Sequence, residues 1–268
     1  MITTTFKEFN ISCQNHDKCL GDLLFIHGFC VDHSYFTAAK ELSKYFNIYM
    51  IDLPGHGANT EGATQDDMHL QKLADYIVSY VEYKKLNNFY LMGHSMGGGL
   101  VSMVENQISD KIRKLILLCP FNFGGAFAGF KSFYIFYPHN MEEKNNLLQI
   151  LYAPDNYAKF SKDPHWTKMN EEQLKFQIEN WDNMHILFKR MSNSLMKIRK
   201  IQKQIKVPTL LMVGKFDGCI PWKHTLNGFK RYFKHKSLKT VVFEKSGHLI
   251  FEEEPALFIK EILDFVKN

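Results

Sequence analysis

The sequence contains no apolar run of about 18 residues, the length that an α-helix needs to span a bilayer. Its first residues, MITTTFKEFN, lack the basic segment followed by an apolar segment that marks a secretory leader. Cysteine is scarce and odd in number, with five scattered residues, which does not suit a disulfide framework. These absences argue against a helical membrane protein and a disulfide-stabilised secreted domain, and we expect a soluble, cytoplasmic protein.

Metal-binding and nucleic-acid-binding patterns are also missing. Cys13, His16 and Cys19 are close together, but a fourth ligand at zinc-like spacing is lacking. The stretch 186–206 carries seven Lys and Arg residues and no acidic residue, without aromatic residues interleaved as in nucleic-acid sites. It is typical of a solvated helix face, with transient contact to a lipid surface as the alternative. We expect no metal, no cofactor and no nucleic-acid partner, and the sequence does not indicate an oligomeric state.

Short apolar runs alternate with helix-length amphipathic segments along the 268 residues, of which 45% are hydrophobic. This alternation predicts an α/β fold, a mostly parallel central sheet with helices on both faces. An antiparallel edge strand is expected in FKEFNIS, and helices are expected over 66–84 and after Pro255. The predicted buried strands are LLFIHG (23–28), NIYMID (47–52), FYLMGH (89–94), KLILLC (114–119), PTLLMVG (208–214) and KTVVFE (239–244).

The alternation is interrupted once. From Phe121 to about Ile205 no convincing buried strand occurs, and strand-like patterns resume at Val207. We therefore predict that residues 121–205 form a helical cap inserted into one core domain, which consists of residues 1–120 and 206–268.

The segment YLMGHSMGGGL, residues 90–100, places Ser95 between an apolar run and a helix-length segment. A strand that passes directly into a helix forces the residue at the corner into a strained conformation. Gly93 and Gly97 lack the Cβ atoms that would clash at such a corner. The pattern predicts that the Ser95 hydroxyl is presented above the carboxyl edge of the sheet, where ligands bind in open α/β folds.

A serine hydroxyl becomes a good nucleophile only when an oriented base takes its proton. In a fold with this corner, the acid and then the histidine are expected after later strands. Asp217 follows the run LLMVG, and His248 follows the run VVFE, each in a turn that contains glycine. The sequence thus predicts a catalytic triad of Ser95, Asp217 and His248, although either partner alone could be structural.

Five blocks of the sequence occur in the order found in one family: FIHGF (25–29), IDLPGHG (51–57), GHSMGG (93–98), GKFDGCIP (214–221) and SGHLIFEEEP (246–255). On these blocks the chain resembles the α/β-hydrolase superfamily, and specifically its serine esterase and lipase branch, which includes monoglyceride lipases. The resemblance implies that Ser95 is the nucleophile, His248 the general base and acid, and Asp217 the orienting carboxylate. It further implies an oxyanion hole formed by the backbone N–H groups of Phe29 and Met96.

Other polar residues near the predicted site are interpreted as structural. Asp52 also ends a strand, but it lies too early in the chain for the triad acid and is expected to fix a turn. His27, His56 and His94 are expected to hold loops around the site, and none of them supports a metal centre.

The aromatic segment 121–138 opens the predicted cap and interleaves bulky residues with glycine. We expect Phe121, Phe123, Phe127 and Phe130 to line an acyl pocket, the alternative being that these rings only seat the cap on the sheet. The resemblance then implies hydrolysis of small-molecule esters with apolar acyl groups by a carboxylesterase or monoacylglycerol-type lipase.

Two other functions stay open. The first is a carbon–carbon bond hydrolase or lyase of the same fold, such as the menaquinone-pathway enzyme. That enzyme typically carries arginine after the corner glycines, where this chain has Gly99. The second is a catalytically silent ligand-binding protein of the same fold.

Overall fold

The computed structural model describes residues 6–124, 133–233 and 237–267. Seven strands form a single sheet in the spatial order β1-β3-β2-β4-β5-β6-β7. β1 is antiparallel to β3, and every other neighbouring pair is parallel. The strands are β1 (Glu8–Ile11), β2 (Asp22–Ile26), β3 (Asn47–Ile51), β4 (Phe89–His94), β5 (Ile112–Leu118), β6 (Thr209–Gly214) and β7 (Leu238–Phe243).

Eleven α-helices are found in the described ranges, and short 3₁₀ turns join several of them to the strands. They are α1 (Ala39–Leu42), α2 (Leu70–Tyr83), α3 (Met96–Ile108), α4 (Met141–Leu151), α5 (Pro154–Phe160), α6 (Pro164–Glu179), α7 (Trp181–Asn193), α8 (Leu195–Gln202), α9 (Trp222–Tyr232), α10 (Ile250–Glu253) and α11 (Pro255–Lys267). No helix in these ranges is long and apolar enough to cross a membrane.

The sheet is covered on both faces, which explains why its central strands read as continuous apolar runs. Every residue of β4 and β6 is buried. Successive side chains of a strand point to opposite faces, so each strand supplies two separate cores. Leu24 and Leu91 pack with α2, α3 and α9 on one face, whereas Phe25 and Met92 pack with α1 and α11 on the other.

The predicted α/β fold is confirmed, and the strands lie within about two residues of the predicted runs. The predicted helix over 66–84 begins later, at Leu70, because the preceding Gln65–Asp67 segment is a separate 3₁₀ turn. Thr64 and Asp67 cap that turn reciprocally through their side chains and backbone N–H groups.

Between β5 and β6 the described residues form the helices α4 to α8 and one 3₁₀ turn, with no strand. Their apolar residues join both cores of the sheet: Leu187 and Phe188 belong to one, and Leu148 and Trp166 to the other. These helices therefore lie across the carboxyl edge of the sheet, where the loops that carry the predicted site residues also meet.

Candidate active site

Ser95 occupies the sharp corner between β4 and α3. Its backbone has φ 55° and ψ −119°, a conformation that residues with a side chain rarely adopt. Its N–H donates to Leu118 O at 2.9 Å, and its carbonyl accepts from Phe121 N at 2.7 Å. Because both backbone groups are held by the end of β5 and the residues after it, the strained corner is fixed in place.

The glycines around Ser95 are required by close backbone packing. A Cβ atom at Gly93 would lie 2.4 Å from Gly97 O, and one at Gly97 would lie 2.3 Å from Ile26 O. Both distances are far below contact, so a side chain at either position would push α3 away from β4 or β2. The spacing of the glycines thus follows from the geometry of the corner.

Asp217 lies just after β6 and is buried. Its Oδ1 accepts hydrogen bonds from the backbone N–H groups of Cys219 at 2.9 Å and Ile220 at 2.7 Å. Its Oδ2 lies 2.6 Å from His248 Nδ1. The turn therefore holds one carboxylate oxygen and directs the other at the imidazole.

His248 follows β7 and is also buried. A carboxylate only accepts hydrogen bonds, so Nδ1 carries the proton that is shared with Asp217. In the neutral ring Nε2 is then unprotonated and is free to accept a proton. The backbone N–H of His248 donates to Leu151 O, at the end of α4, so the helices between β5 and β6 help to hold this loop.

Ser95 and His248 line one cavity at the carboxyl edge of the sheet. In the described part of the chain no hydrogen bond joins the Ser95 hydroxyl to His248 Nε2, and His248 Nδ1 is bonded to Asp217. Catalytic hydrogen bonds in unliganded enzymes are often long and tighten when substrate binds. The structure thus places Ser95 and His248 around one space, and Asp217 is joined to His248 from behind the cavity wall.

The two predicted oxyanion donors belong to segments that border Ser95. Met96 is the first residue of α3, where backbone N–H groups have no partner within the helix and the helix dipole is positive. Phe29 follows Gly28, at which a Cβ atom would lie only 3.4 Å from Ser95 Cβ. The turn after β2 therefore passes directly beside the serine.

A family model described as alpha/beta hydrolase family matches residues 23–261. The chain is an α/β-hydrolase. The match spans all strands except the antiparallel edge strand β1, and it includes the loops that carry Ser95, Asp217 and His248.

Individual relatives of this α/β-hydrolase carry esterase and lipase names. A Mycoplasma pneumoniae protein named as an esterase/lipase is 28% identical, with 92% of this chain and 87% of that protein covered. Monoacylglycerol lipase ABHD6 of Homo sapiens is 25% identical, with 92% of this chain and 75% of that protein covered. Among solved structures, a meta-cleavage product hydrolase from Pseudomonas fluorescens has a TM-score of 0.77 at 16% identity, covering 98% and 94%, which shows a shared fold.

The cavity of the α/β-hydrolase encloses about 1110 Å³ of atom-free space, including its solvent-open mouth. Phe29 and Phe121 line it from the sheet side, and Phe136 and Phe188 line it from the other side. Of the four rings predicted to line the pocket, Phe121 therefore lines the cavity. Phe123 is not among the described lining residues, because its ring lies 4.9 Å from the Arg199 guanidinium. Phe127 and Phe130 lie outside the described residues.

Tyr35 and His94 form a buried hydrogen-bond chain, in which His94 joins loops as expected from the sequence, whereas sequence reasoning did not single out Tyr35. The Tyr35 hydroxyl accepts from Gly28 N–H at 3.1 Å and lies 2.6 Å from His94 Nδ1. His94 Nε2 lies 2.9 Å from His248 O, a carbonyl that can only accept. Burial holds the pKa of His94 well below its usual value, so its ring is neutral and Tyr35 donates to Nδ1. This chain of hydrogen bonds connects three segments: the turn before Phe29, the corner that carries Ser95 and the loop that carries His248.

The remaining polar residues that the sequence singled out hold loops. His27 Nε2 accepts from Leu53 N–H at 3.0 Å, and its Nδ1 donates to the carbonyl of Gly28 at 2.8 Å. Asp52 accepts from the backbone of His33 and of Ala58. Burial lowers the pKa of His56 to about 3, which keeps that ring neutral as well.

Three groups of potential metal ligands come together in the described ranges. They are His94 with Cys119 and His248, Asp217 with Cys219 and His248, and Asp32 with His33 and Asp52. In each group, atoms that could ligate a metal already take part in hydrogen bonds. These atoms are both nitrogens of His94, both oxygens of Asp217 and both oxygens of Asp52. In the first group an ion would have to displace the hydrogen bonds of His94, and in the other two it would compete with the hydrogen bonds that Asp217 and Asp52 already accept. The triplet Cys13, His16 and Cys19 is not among the groups.

Proposed function

We propose that this α/β-hydrolase cleaves carboxylic esters with apolar acyl groups through an acyl-enzyme on Ser95. The observation that carries the proposal is the Asp217–His248 pair at 2.6 Å, next to a serine on a strained corner of the same cavity. The esterase and lipase names of the relatives support ester hydrolysis as the reaction type.

The first half of the reaction forms the acyl-enzyme. His248 Nε2 accepts the Ser95 proton while Ser95 Oγ attacks the ester carbonyl. Asp217 keeps the proton on Nδ1 and stabilises the imidazolium that forms. The negative charge on the tetrahedral oxygen is stabilised by the N–H groups of Phe29 and Met96. The proton on Nε2 then passes to the departing alcohol as the carbon–oxygen bond breaks.

The second half releases the acid. A water molecule gives a proton to His248 Nε2 and attacks the acyl carbonyl, and Ser95 leaves as its proton returns from the imidazolium. The proposed reaction consumes only the ester and one water molecule. The groups that act on them are side chains and backbone N–H groups of this chain.

We further propose that residues 121–205 act as a cap over this chemistry. Their helices line the cavity with Leu147, Leu148 and Phe188, and α4 also contacts the loops that carry Asp217 and His248. Ile150 O accepts from Gly218 N–H at 3.1 Å, one residue after the acid. The apolar part of this lining suits an apolar acyl chain and excludes water from the acyl-enzyme.

The basic stretch 186–206 lies on α7 and α8, and part of its charge attaches these helices to the core. Arg190 donates to the backbone carbonyl of Gln65, and Lys197 donates to Gln71 Oε1 at 2.9 Å. Lys189, Lys200 and Lys203 are exposed. Contact of these three lysines with a lipid surface stays a prediction.

The carbon–carbon hydrolase alternative gains no support from its structural neighbour, because a likeness at 16% identity shows the fold alone. The position after the corner glycines is Gly99, where a Cβ atom would lie 3.1 Å from the Phe121 ring. A larger residue there would displace Phe121 from the cavity wall. Packing therefore gives a sufficient reason for glycine at this position.

The test is hydrolysis of p-nitrophenyl esters of increasing acyl length by wild type and by Ser95→Ala. We expect Ser95→Ala to reduce kcat by several orders of magnitude. Ser79→Ala is the matched control, because Ser79 is exposed on α2 and its hydroxyl bonds only to Asp75 O. Labelling by a fluorophosphonate probe should require Ser95. Equal activity of wild type and Ser95→Ala, or a wild type that neither hydrolyses esters nor takes the label, would refute the proposal.

A further inference from the structure

The cavity that holds Ser95 also contains a lysine, Lys144, which enters it from α4. Only 2% of Lys144 is exposed, although it lines the cavity. All Asp and Glu residues of the chain lie within the described ranges, and none of them forms an ion pair with Lys144. Isolated buried charges are costly, so a lysine in this setting needs an explanation.

The hydrogen-bond partners of Lys144 are neutral amides. Its Nζ lies 3.3 Å from Gln173 Oε1 and 3.2 Å from Gln177 Oε1. Burial lowers the pKa of Lys144 to about 8, so the amine is still mostly protonated at neutral pH. The two amides orient the ammonium group but do not neutralise it.

The amides come from one face of α6. Asn170, Gln173 and Gln177 are spaced i, i+3 and i+7, so they share a face of the helix, and all three line the cavity. Each glutamine offers its oxygen to Lys144 and keeps an NH₂ group as a further donor. Close to this group the cavity is apolar, with Cys30, Leu147 and Leu148 in its wall.

The other charged residue of the cavity, Glu252, does not compensate Lys144. Glu252 bonds to the Tyr152 hydroxyl at 2.7 Å. Burial, and to a lesser degree Glu253, raise its pKa to about 7, whereas Lys144 is not among the groups that shift it. The ammonium group thus faces a cavity of low polarity without a counter-charge from the protein.

We propose that Lys144, with Gln173 and Gln177, binds an anionic group of the ester that Ser95 cleaves. A carboxylate or phosphate on the substrate would supply the missing charge and accept hydrogen bonds from the ammonium and amide groups. The inference rests on the proposed function and narrows it. The substrate class is an ester with an apolar chain and an anion remote from the scissile carbonyl.

The first test compares matched substrates on wild-type enzyme. One arm places the anion on the acyl side: mono-p-nitrophenyl esters of linear dicarboxylic acids against p-nitrophenyl alkanoates of equal length. The second arm places it on the alcohol side: a lysophosphatidate against the monoacylglycerol with the same acyl chain. In one arm we expect kcat/KM to favour the anionic substrate by about tenfold or more. An anionic-to-neutral ratio of kcat/KM of about one or below in both arms would overturn the proposal.

The second test assigns the preference to Lys144. Lys144→Met should reduce the anionic-to-neutral ratio of kcat/KM to about one or below. Lys40→Met is the matched control, because it removes the same charge from an exposed site on α1, and it should keep the wild-type ratio. A ratio that survives Lys144→Met, or falls equally in Lys40→Met, would contradict the assigned site.

Binding to Ser95→Ala separates this inference from the proposed function. Calorimetry with a linear monocarboxylate should show tighter binding than with the uncharged primary alcohol of equal length. The difference should be absent in Ser95→Ala/Lys144→Met. If wild type hydrolyses no ester in either arm but this difference is found, the proposed reaction fails and the anion site stands. If neutral esters are hydrolysed and the carboxylate has no advantage over the alcohol, the reaction stands and the anion site fails.

Discussion

The two polar ends of the cavity differ in how their charged groups are compensated. At the end that we propose to be catalytic, called the catalytic end below, Asp217 accepts hydrogen bonds from two backbone N–H groups and the His248 imidazole, all between 2.6 and 2.9 Å. His248 is held further through its carbonyl, which accepts from His94. At the opposite end, called the cap end after the proposed cap, the described residues that accept hydrogen bonds from Lys144 Nζ are two glutamines, through their side-chain oxygens.

This difference suits two different tasks: one end fixes the geometry of the proposed reaction, and the other recognises the substrate. A network whose members are all paired within the protein keeps its shape when no ligand is bound, which is what proton transfer at a fixed hydroxyl requires. A buried charge with neutral partners is stabilised further only by a ligand of opposite charge. Substitutions at the two ends should therefore differ in kind: one end controls rate, and the other controls substrate preference and stability.

The largest effect is expected from disrupting the catalytic end with Asp217→Asn. The asparagine NH₂ group would donate to Nδ1 and leave the proton on Nε2, where it blocks proton transfer from Ser95. By analogy with the same substitution in a serine protease triad, kcat should fall by about 10⁴-fold. Asp110→Asn, at an exposed position after α3, is the control. A loss of less than tenfold would show that Asp217 does not set the tautomer.

The next effect tests how the corner is packed. Gly97→Ala introduces a Cβ atom 2.3 Å from Ile26 O, and we expect the free energy of unfolding to fall by about 3 kcal/mol. Gly228→Ala makes the same change in α9, where the nearest atom, the Tyr232 hydroxyl oxygen, lies 3.7 Å away. There the better helix propensity of alanine should raise stability by about 0.5 to 1 kcal/mol. Urea denaturation of both variants measures the contrast, and effects of the same sign would show that the corner can relax.

The catalytic end was largely predictable from the sequence, whereas the cap end was not. Buried parallel strands produce continuous apolar runs, and the residues that follow them, such as Asp217 and His248, are placed together by the topology. The glycines around Ser95 add a local signal, because the corner excludes side chains there. Pattern and geometry thus agree at this end of the cavity.

At the cap end no comparable signal exists. Asn170, Gln173 and Gln177 read as the polar face of a surface helix, and helical spacing does not distinguish a face toward solvent from one toward a cavity. The contact between Lys144 and α6 joins positions about 30 residues apart, with no motif that links them. Phe123 shows the same limit: its residue type suits the pocket, but its ring packs on Arg199.

Stability gives an independent measure of the uncompensated charge. Lys144 has a pKa of about 8 in the folded protein against 10.5 as its ordinary value, so the unfolded chain binds more protons between these pH values. The contribution of Lys144 to wild-type stability should therefore rise with pH across that window, while the neighbouring Cys30 remains an uncharged thiol because burial raises its pKa. Lys144→Met should be more stable than wild type by about 3 kcal/mol at pH 7, and the gap should narrow toward pH 10.

Urea denaturation of wild type, Lys144→Met and Lys189→Met at neutral and alkaline pH measures this gap. The control, Lys189→Met, removes a lysine from an exposed site on α7. If Lys144→Met is less stable than wild type at pH 7, the glutamine contacts already compensate the charge, and the contrast between the two ends of the cavity is lost.

The smallest effect concerns Tyr35, which lines the cavity and whose hydroxyl bonds to groups that border the catalytic end. In Tyr35→Phe, Gly28 N–H and His94 Nδ1 both lose their hydrogen-bond partner. Without these hydrogen bonds the two loops should be less well oriented, and kcat should fall about tenfold. KM should change little, because the apolar cavity wall is kept. Tyr83→Phe is the control, since Tyr83 is 61% exposed. Should KM rise instead while kcat is kept, Tyr35 would act on the binding of the substrate, and the hydrogen-bond chain would not position the groups that stabilise the transition state.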